Sequence, residues 1–86
     1  MGHNTGESRT AVEKSRELQE KFFYEIGLLA YKDGDLTDSE VARRAGVSAS
    51  YYSGMKNLRK SISLSAMISI ARVFGMVVHV NIVPKK

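Results

Sequence analysis

Cysteine, long apolar runs and catalytic patterns are all absent from this chain of 86 residues. Without cysteine, disulfide bonds and cysteine-ligated metal sites are excluded. Its two histidines, His3 and His79, are isolated from other potential ligands, so we expect no metal and no cofactor. No apolar run approaches the roughly 20 residues of a membrane span, and no signal-peptide pattern is present. We therefore expect one small intracellular domain.

Patterns typical of enzymes are also missing. No histidine is paired with a nucleophile pattern, no glycine-rich phosphate loop occurs, and the carboxylates cluster on a helix face that we expect to be solvated. An enzyme is therefore the least expected class of function.

Acidic residues are missing from the second half of the chain. All nine lie between Glu7 and Glu40, together with five basic residues, whereas residues 41–86 contain eight basic residues and no acid. A positive region without counter-charges favours a polyanion, because each neutralised phosphate releases condensed counterions. The alternative is an ordinary solvated basic surface. We favour nucleic acid, since five of the eight basic residues belong to or flank the motif described next.

Residues 37–56 carry the signals of two short helices joined by a tight turn. Thr37 can cap the first helix and Glu40 can complete a capping box. Gly46 lies where the first helix must stop, and Ser48 can cap the second. The pattern predicts a helix-turn-helix with these inward residues: Val41, Ala42, Ala45, Val47, Tyr52 and Met55.

One helix is predicted on each side of this motif. The first should run from Thr10 to about Lys32, and Gly27 within it predicts either close packing of another backbone or a bend. The last should begin after a cap at Ser63. The spacing predicts that the first helix buries Leu18, Phe22, Ile26 and Leu29, and that the last buries Leu64, Met67, Ile68, Ala71 and Phe74.

Apolar residues alternate after Gly75, which predicts a single strand before Pro84. Because no second strand is predicted, its natural partner is the same strand of a second copy across a two-fold axis. The alternative is a tail that lies on the helices or is disordered. We favour a homodimer through the strand face formed by Met76, Val78, Val80 and Ile82.

The segment from Leu36 to Gly75 resembles the DNA-binding domain of the lambda repressor, Cro and Xre-type family. The resemblance rests on the helix-turn-helix, the basic loop at 56–60 and the helix opened by Ser63 and Leu64. Leu58 stands where the family usually has a glycine. The resemblance implies a mainly α fold, a lambda-repressor-like bundle of four to five helices, here with one C-terminal β-strand. We predict a disordered arm at 1–8, the DNA-binding domain at 9–75 with its motif at 37–56, and a dimerisation strand with a basic tail at 76–86.

In the family's docking geometry the second motif helix enters the major groove. Carried onto this chain, the resemblance implies that bases are read by Ala49, Ser50, Tyr51, Ser53 and Gly54. It implies that DNA phosphates are contacted by Thr37, Arg44, Lys56, Asn57, Arg59 and Lys60.

The predicted function is that of a sequence-specific, double-stranded DNA-binding transcriptional regulator. It would be repressor-like, would act as a dimer on an inverted repeat, and would work in the cytoplasm of a bacterial or phage-infected cell. One alternative is an antitoxin that represses its own operon and binds a toxin. Another is a protein-interaction module with incidental DNA binding, in which the acidic first helix presents Phe23, Tyr24 or Tyr31.

Overall fold

The computed structural model describes the backbone of residues 5–84 and the side chains of residues 10–84. This part of the chain contains four α-helices and no strand: α1 (Thr5–Lys32), α2 (Asp38–Ala45), α3 (Ala49–Lys56) and α4 (Leu64–Val73). The mainly α class is confirmed.

Helix α1 begins five residues earlier than its predicted start at Thr10. Extending an existing helix costs little compared with nucleating one, so the polar residues ahead of Thr10 continue the helix. The part of the predicted arm at residues 5–8 is therefore helical. Residues 1–4, and with them His3, lie outside the described residues, as do the terminal lysines Lys85 and Lys86.

Serine and threonine hydroxyls cap α2, α3 and α4, as predicted. The Oγ1 atom of Thr37 accepts a hydrogen bond from the Glu40 N–H at 3.2 Å. Ser48 Oγ accepts from the Tyr51 N–H at 3.1 Å, and Ser63 Oγ accepts from the Ala66 N–H at 3.1 Å. Each cap satisfies one backbone donor that the first helical turn leaves without an intrahelical partner.

The same three helices end with a residue in the left-handed conformation. Gly46 (φ 78°) follows α2 and Gly75 (φ 69°) follows α4, where the missing Cβ makes this conformation inexpensive. After α3 the position is held by Leu58, with φ 63°. Its N–H donates to the Met55 carbonyl at 3.1 Å, and the next N–H donates to the Gly54 carbonyl at 2.7 Å. This is a Schellman closure that tolerates a strained leucine.

The helix faces that form the core agree only in part with those predicted. Helix α1 buries Gln19, Phe23, Ile26 and Ala30, whereas Leu18 is 55% exposed. Helix α4 buries Ala66, Ile70 and Ala71, whereas Leu64 and Ile68 are exposed. Ile26 and Ala71 are buried as predicted, and three further predicted residues pack half-buried against the core: Phe22, Leu29 and Phe74. The prediction is wrong at Leu18, Leu64 and Ile68, because the apolar residues of each helix cover more than one face and their spacing fits either.

The centre of the core joins α1 to α3 through aromatic side chains. The Phe23 and Tyr52 rings are 5.5 Å apart and nearly perpendicular, an arrangement favoured by the ring quadrupoles. Tyr52 and Met55 are buried, as predicted. Burial raises the pKa of the Tyr52 hydroxyl to about 12, and the nearby Asp38 charge adds to the rise. Helix α3 is thus fixed by the side that faces α1.

The predicted C-terminal strand is not present in the described residues. Residues 76–84 have no regular secondary structure. A strand requires a hydrogen-bonded neighbour, and residues 5–84 contain no strand that could supply one. Val78 is half-buried, but Val80 is 64% exposed and Ile82 is 93% exposed.

Substitutions at Leu58 test the strain after α3. Alanine normally stabilises a protein relative to glycine by about 0.4–1 kcal/mol where both fit the backbone. At φ 63° we expect the reverse, because only glycine relieves a left-handed cost of about 1–2 kcal/mol. Urea unfolding should therefore show Leu58→Gly to be more stable than Leu58→Ala. If Leu58→Ala is the more stable variant, the left-handed conformation is wrong.

Candidate nucleic-acid interface

The amino-terminal half of α3 provides the exposed surface expected to read bases. Ala49 and Ser50 are exposed, Tyr51 is half-buried and Tyr52 is buried. Ser50 is therefore accessible from outside, and Tyr52 holds the helix to the core. The half-buried Tyr51 packs against the edge of the core. Tyr52 faces inward as expected, whereas Tyr51, which we expected to face outward, is partly covered by the core.

The carboxyl-terminal half of α3 is occupied by its own loop. Gly54 is buried, and a Cβ at this position would lie 3.0 Å from Cδ of Lys60. The Gly54 carbonyl also accepts the N–H groups of Arg59 and Lys60, at 2.7 and 3.0 Å. This corrects the base-facing position predicted for Gly54, because the Lys60 side chain covers it. The glycine allows the loop, not DNA, to approach closely.

Ser53 and Asn57 hold the end of α3. Nδ2 of Asn57 donates to the Ser53 carbonyl at 3.0 Å and contacts the Ser53 Oγ at 3.3 Å. Ser53 is half-buried. The Asn57 amide, predicted to contact phosphate, is thus engaged in capping α3, and the Ser53 hydroxyl is its partner.

Two predicted phosphate ligands, Arg44 and Lys56, have carboxylate partners within the chain. Nε of Arg44 lies 2.9 Å from Oε2 of Glu40, and Arg43 contacts the same carboxylate. Nζ of Lys56 lies 2.9 Å from Oδ1 of Asp38, so this pair links the end of α3 to the start of α2. Such exposed pairs contribute little to the stability of the fold. Their main effect is to cancel part of the positive charge of Arg44 and Lys56.

The pKa of Glu40 reflects its two arginines. Hydrogen bonds from Arg43 first and Arg44 second lower the pKa of this carboxyl to about 2. Glu40 is therefore ionised at any pH at which the protein would be used, and the Arg43–Glu40–Arg44 group carries one net positive charge. The predicted capping box is only half formed as a result: Thr37 accepts the Glu40 N–H, while the Glu40 carboxylate contacts the arginines.

Arg59 and Lys60 have no ion-pair partner among the described residues. Both are exposed and follow α3 directly. Of the predicted phosphate ligands, these two therefore have full charges available to a polyanion. Thr37 lies at the start of α2, where its hydroxyl accepts the capping bond and can still donate one.

Gln19 is a buried residue that our sequence analysis missed. Its Nε2 atom donates to the carbonyls of Met55 at 2.6 Å and Lys60 at 2.8 Å. Its Oε1 atom accepts the Ile62 N–H at 3.1 Å. One side chain of α1 thus satisfies three backbone groups at both ends of the loop that carries Arg59. Its position four residues before Phe23, on the buried stripe, is the signal that could have identified it.

No metal site or membrane span was found in the part of the chain that the structure describes. No group of three or more potential metal ligands occurs there, and His79 is exposed. None of the four helices is both long and apolar enough to cross a membrane.

The chain matches the model of a known protein family. A family model described as helix-turn-helix matches residues 30–77, which is more than half of the chain and includes α2, α3 and α4. No curated protein matches the chain. No solved structure matches it.

Replacing Gln19 tests the link between α1 and the loop. Gln19→Met keeps the length of the side chain but leaves two carbonyls and one N–H without partners. Each buried unsatisfied group costs about 1–3 kcal/mol. Because water can reach part of this site, we expect the free energy of unfolding to fall by about 3 kcal/mol in total. Urea unfolding measures the loss, with Glu20→Met, at an exposed neighbouring position, as the control. Equal stability of the two variants would contradict the three hydrogen bonds.

Proposed function

Because the chain belongs to the Xre and lambda repressor type of helix-turn-helix DNA-binding regulators, we propose that it is a sequence-specific transcriptional regulator of the repressor type. It acts in the cytoplasm as a dimer on an inverted-repeat operator. Its role is to bind and not to catalyse.

One observation carries this proposal. The outer surface of α3 exposes Ala49 and Ser50 at its amino-terminal end, while Tyr52 fixes the opposite side to the core. A helix held in this way can enter the major groove without rearrangement. The unpaired charges of Arg59 and Lys60 lie beyond its other end, where they can contact the DNA backbone.

The base-reading surface is small. Ser50 can donate to or accept from either kind of base pair, Ala49 can contact a thymine methyl group, and Tyr51 offers a hydroxyl and a ring. Arginine, glutamine and asparagine, which form the strong bidentate contacts, are absent from residues 49–55. Specificity therefore rests in part on DNA shape and deformability.

The tail supports a dimer. Val80, Ile82 and Val83 are 64%, 93% and 77% exposed, and such residues are costly to leave in water. Pairing of residues 76–83 with the same residues of a second copy would supply the missing hydrogen-bonding neighbour and bring Val80 and Ile82 of both copies onto one shared face. The dimer would place the two recognition helices roughly 34 Å apart, one turn of DNA.

A second candidate function, binding of a protein partner such as a toxin, is favoured by the outer face of α1. Tyr24, Leu28 and Tyr31 are exposed at i, i+4 and i+7, which places them in one stripe. Gly27 lies beside them, and apart from the neighbouring backbone of α1 itself no atom of the described residues lies within 4 Å of the place where its Cβ would be. The chain's own packing thus does not explain this glycine. Duplex binding that is lost in excess random DNA would favour this candidate.

The operator is best obtained by selecting bound sequences from a random duplex pool. On the selected site, Ser50→Ala and Tyr51→Ala should lose preference over random DNA, since base contacts discriminate among sequences. Loss of one contact corresponds to about 1–3 kcal/mol, or roughly 5- to 150-fold. Arg59→Ala is the matched control, because it should weaken binding to the selected duplex and to random DNA by the same factor. If both α3 variants keep the wild-type preference, this face of α3 does not read the operator.

Proline at Val80 tests the dimer. It removes one backbone donor from the proposed ladder, whereas Val80→Thr keeps the donor and the branched side chain. Light scattering should show a monomer for Val80→Pro and a dimer for Val80→Thr, with the helical circular dichroism of both unchanged. A Val80→Pro variant that remains dimeric would show that the subunits associate through another surface.

A further inference from the structure

We propose that a cleft between α1 and the loop after α3 binds the phosphodiester backbone of DNA, and that Arg16 is the residue of α1 that neutralises it. The cleft has a volume of about 390 Å³. The inference rests on the proposed DNA-binding function and extends the interface to a helix that our sequence analysis assigned to the acidic half of the chain.

The first observation is where the unpaired charges lie. Among residues 10–84, four basic side chains have a carboxylate partner: Lys14, Arg43, Arg44 and Lys56. The other six are Arg16, Lys21, Lys32, Arg59, Lys60 and Arg72. Three of these six, Arg16, Arg59 and Lys60, line the same cleft. No acidic residue lines it, so their positive charges are not offset locally.

The second observation is the position of the Arg16 guanidinium. Its Nη1 atom lies 3.4 Å from the Leu58 carbonyl, which holds the group over the loop. A guanidinium has five N–H donors, and one bond to a carbonyl leaves most of them available. Their planar arrangement suits the oxygens of a phosphate group. Ser15 and Ser61, which also line the cleft, add hydroxyl donors.

The third observation is the rigidity of the cleft wall. Gln19 lies one turn after Arg16 and holds the carbonyls of Met55 and Lys60. The charges of α1 and of the loop are therefore placed side by side before any ligand binds, so little conformational entropy is lost on binding.

The experiment is the salt dependence of duplex binding, measured by fluorescence anisotropy over a range of KCl concentrations. The slope of log K against log salt is negative, and each lost phosphate contact reduces its magnitude by about 0.9. We expect this decrease for Arg16→Gln and a slope close to that of the wild type for Arg16→Lys, which keeps the charge. The matched control is Lys21→Gln, which makes the same charge change on α1 outside the cleft and should keep the wild-type slope.

The outcomes separate this inference from the proposed function. If Arg59→Ala reduces the magnitude of the slope and Arg16→Gln does not, the protein binds DNA through the loop but Arg16 does not contact the DNA backbone, and the inference fails. An Arg16→Lys variant that behaves like Arg16→Gln would also overturn the inference, because the carbonyl contact and not the charge would then matter. If the wild-type protein shows no salt-dependent binding, the DNA-binding function itself fails.

A titration with inorganic phosphate distinguishes a cleft that binds a small free anion from one that binds the DNA backbone. The wild-type protein is titrated with phosphate in the absence of DNA, and the NMR chemical shifts of the amide groups of residues 58–61 are recorded. These shifts should change only weakly and without saturation. Saturable shifts at low millimolar phosphate, together with an unchanged duplex slope for Arg16→Gln, would assign the cleft to a small anion and overturn its assignment to DNA.

Discussion

The side-chain amide of Gln19 determines where the loop after α3 lies relative to α1. Its three hydrogen bonds reach Met55, Lys60 and Ile62, which are 36 to 43 residues away in the sequence. The amide uses both of its donors and one lone pair there, so no polar group of this contact is left unsatisfied. The Schellman closure at Leu58 and the burial of Gly54 both require the loop to fold back at this place. The position of Arg59 and Lys60 follows from it.

This constraint separates the basic residues of the motif into two groups. Arg43, Arg44 and Lys56 are next to carboxylates of α2, whereas Arg59 and Lys60 project from a loop that has no acidic residue. A charge with a carboxylate partner contributes less to the attraction of a polyanion, because part of its field is already cancelled. The modest net charge of the chain therefore understates how positive the surface after α3 is.

The local features of the fold could be predicted from the sequence, and the long-range ones could not. The caps at Thr37, Ser48 and Ser63 and the turn at Gly46 depend on residues within one helical turn, so the sequence pattern identifies them. The buried faces of α1 and α4 depend on which of two apolar stripes meets the other helices. The burial of Gln19 was not predicted, because it is a polar residue within an otherwise apolar buried stripe. The contacts of Arg16 with Leu58 and of Lys60 with Gly54 arise only once the loop has folded, and the ion pairs that occupy Arg44 and Lys56 depend on rotamers.

The most direct test of this account is the salt slope of wild-type operator binding per bound protomer, with the stoichiometry obtained by light scattering. At about 0.9 per phosphate contact, three available cations, Arg16, Arg59 and Lys60, predict a slope of roughly −3 per protomer. If Arg43, Arg44 and Lys56 also left their carboxylates to bind DNA, the slope would be roughly −5. A value near −5 would contradict the division of the basic residues into paired and available groups.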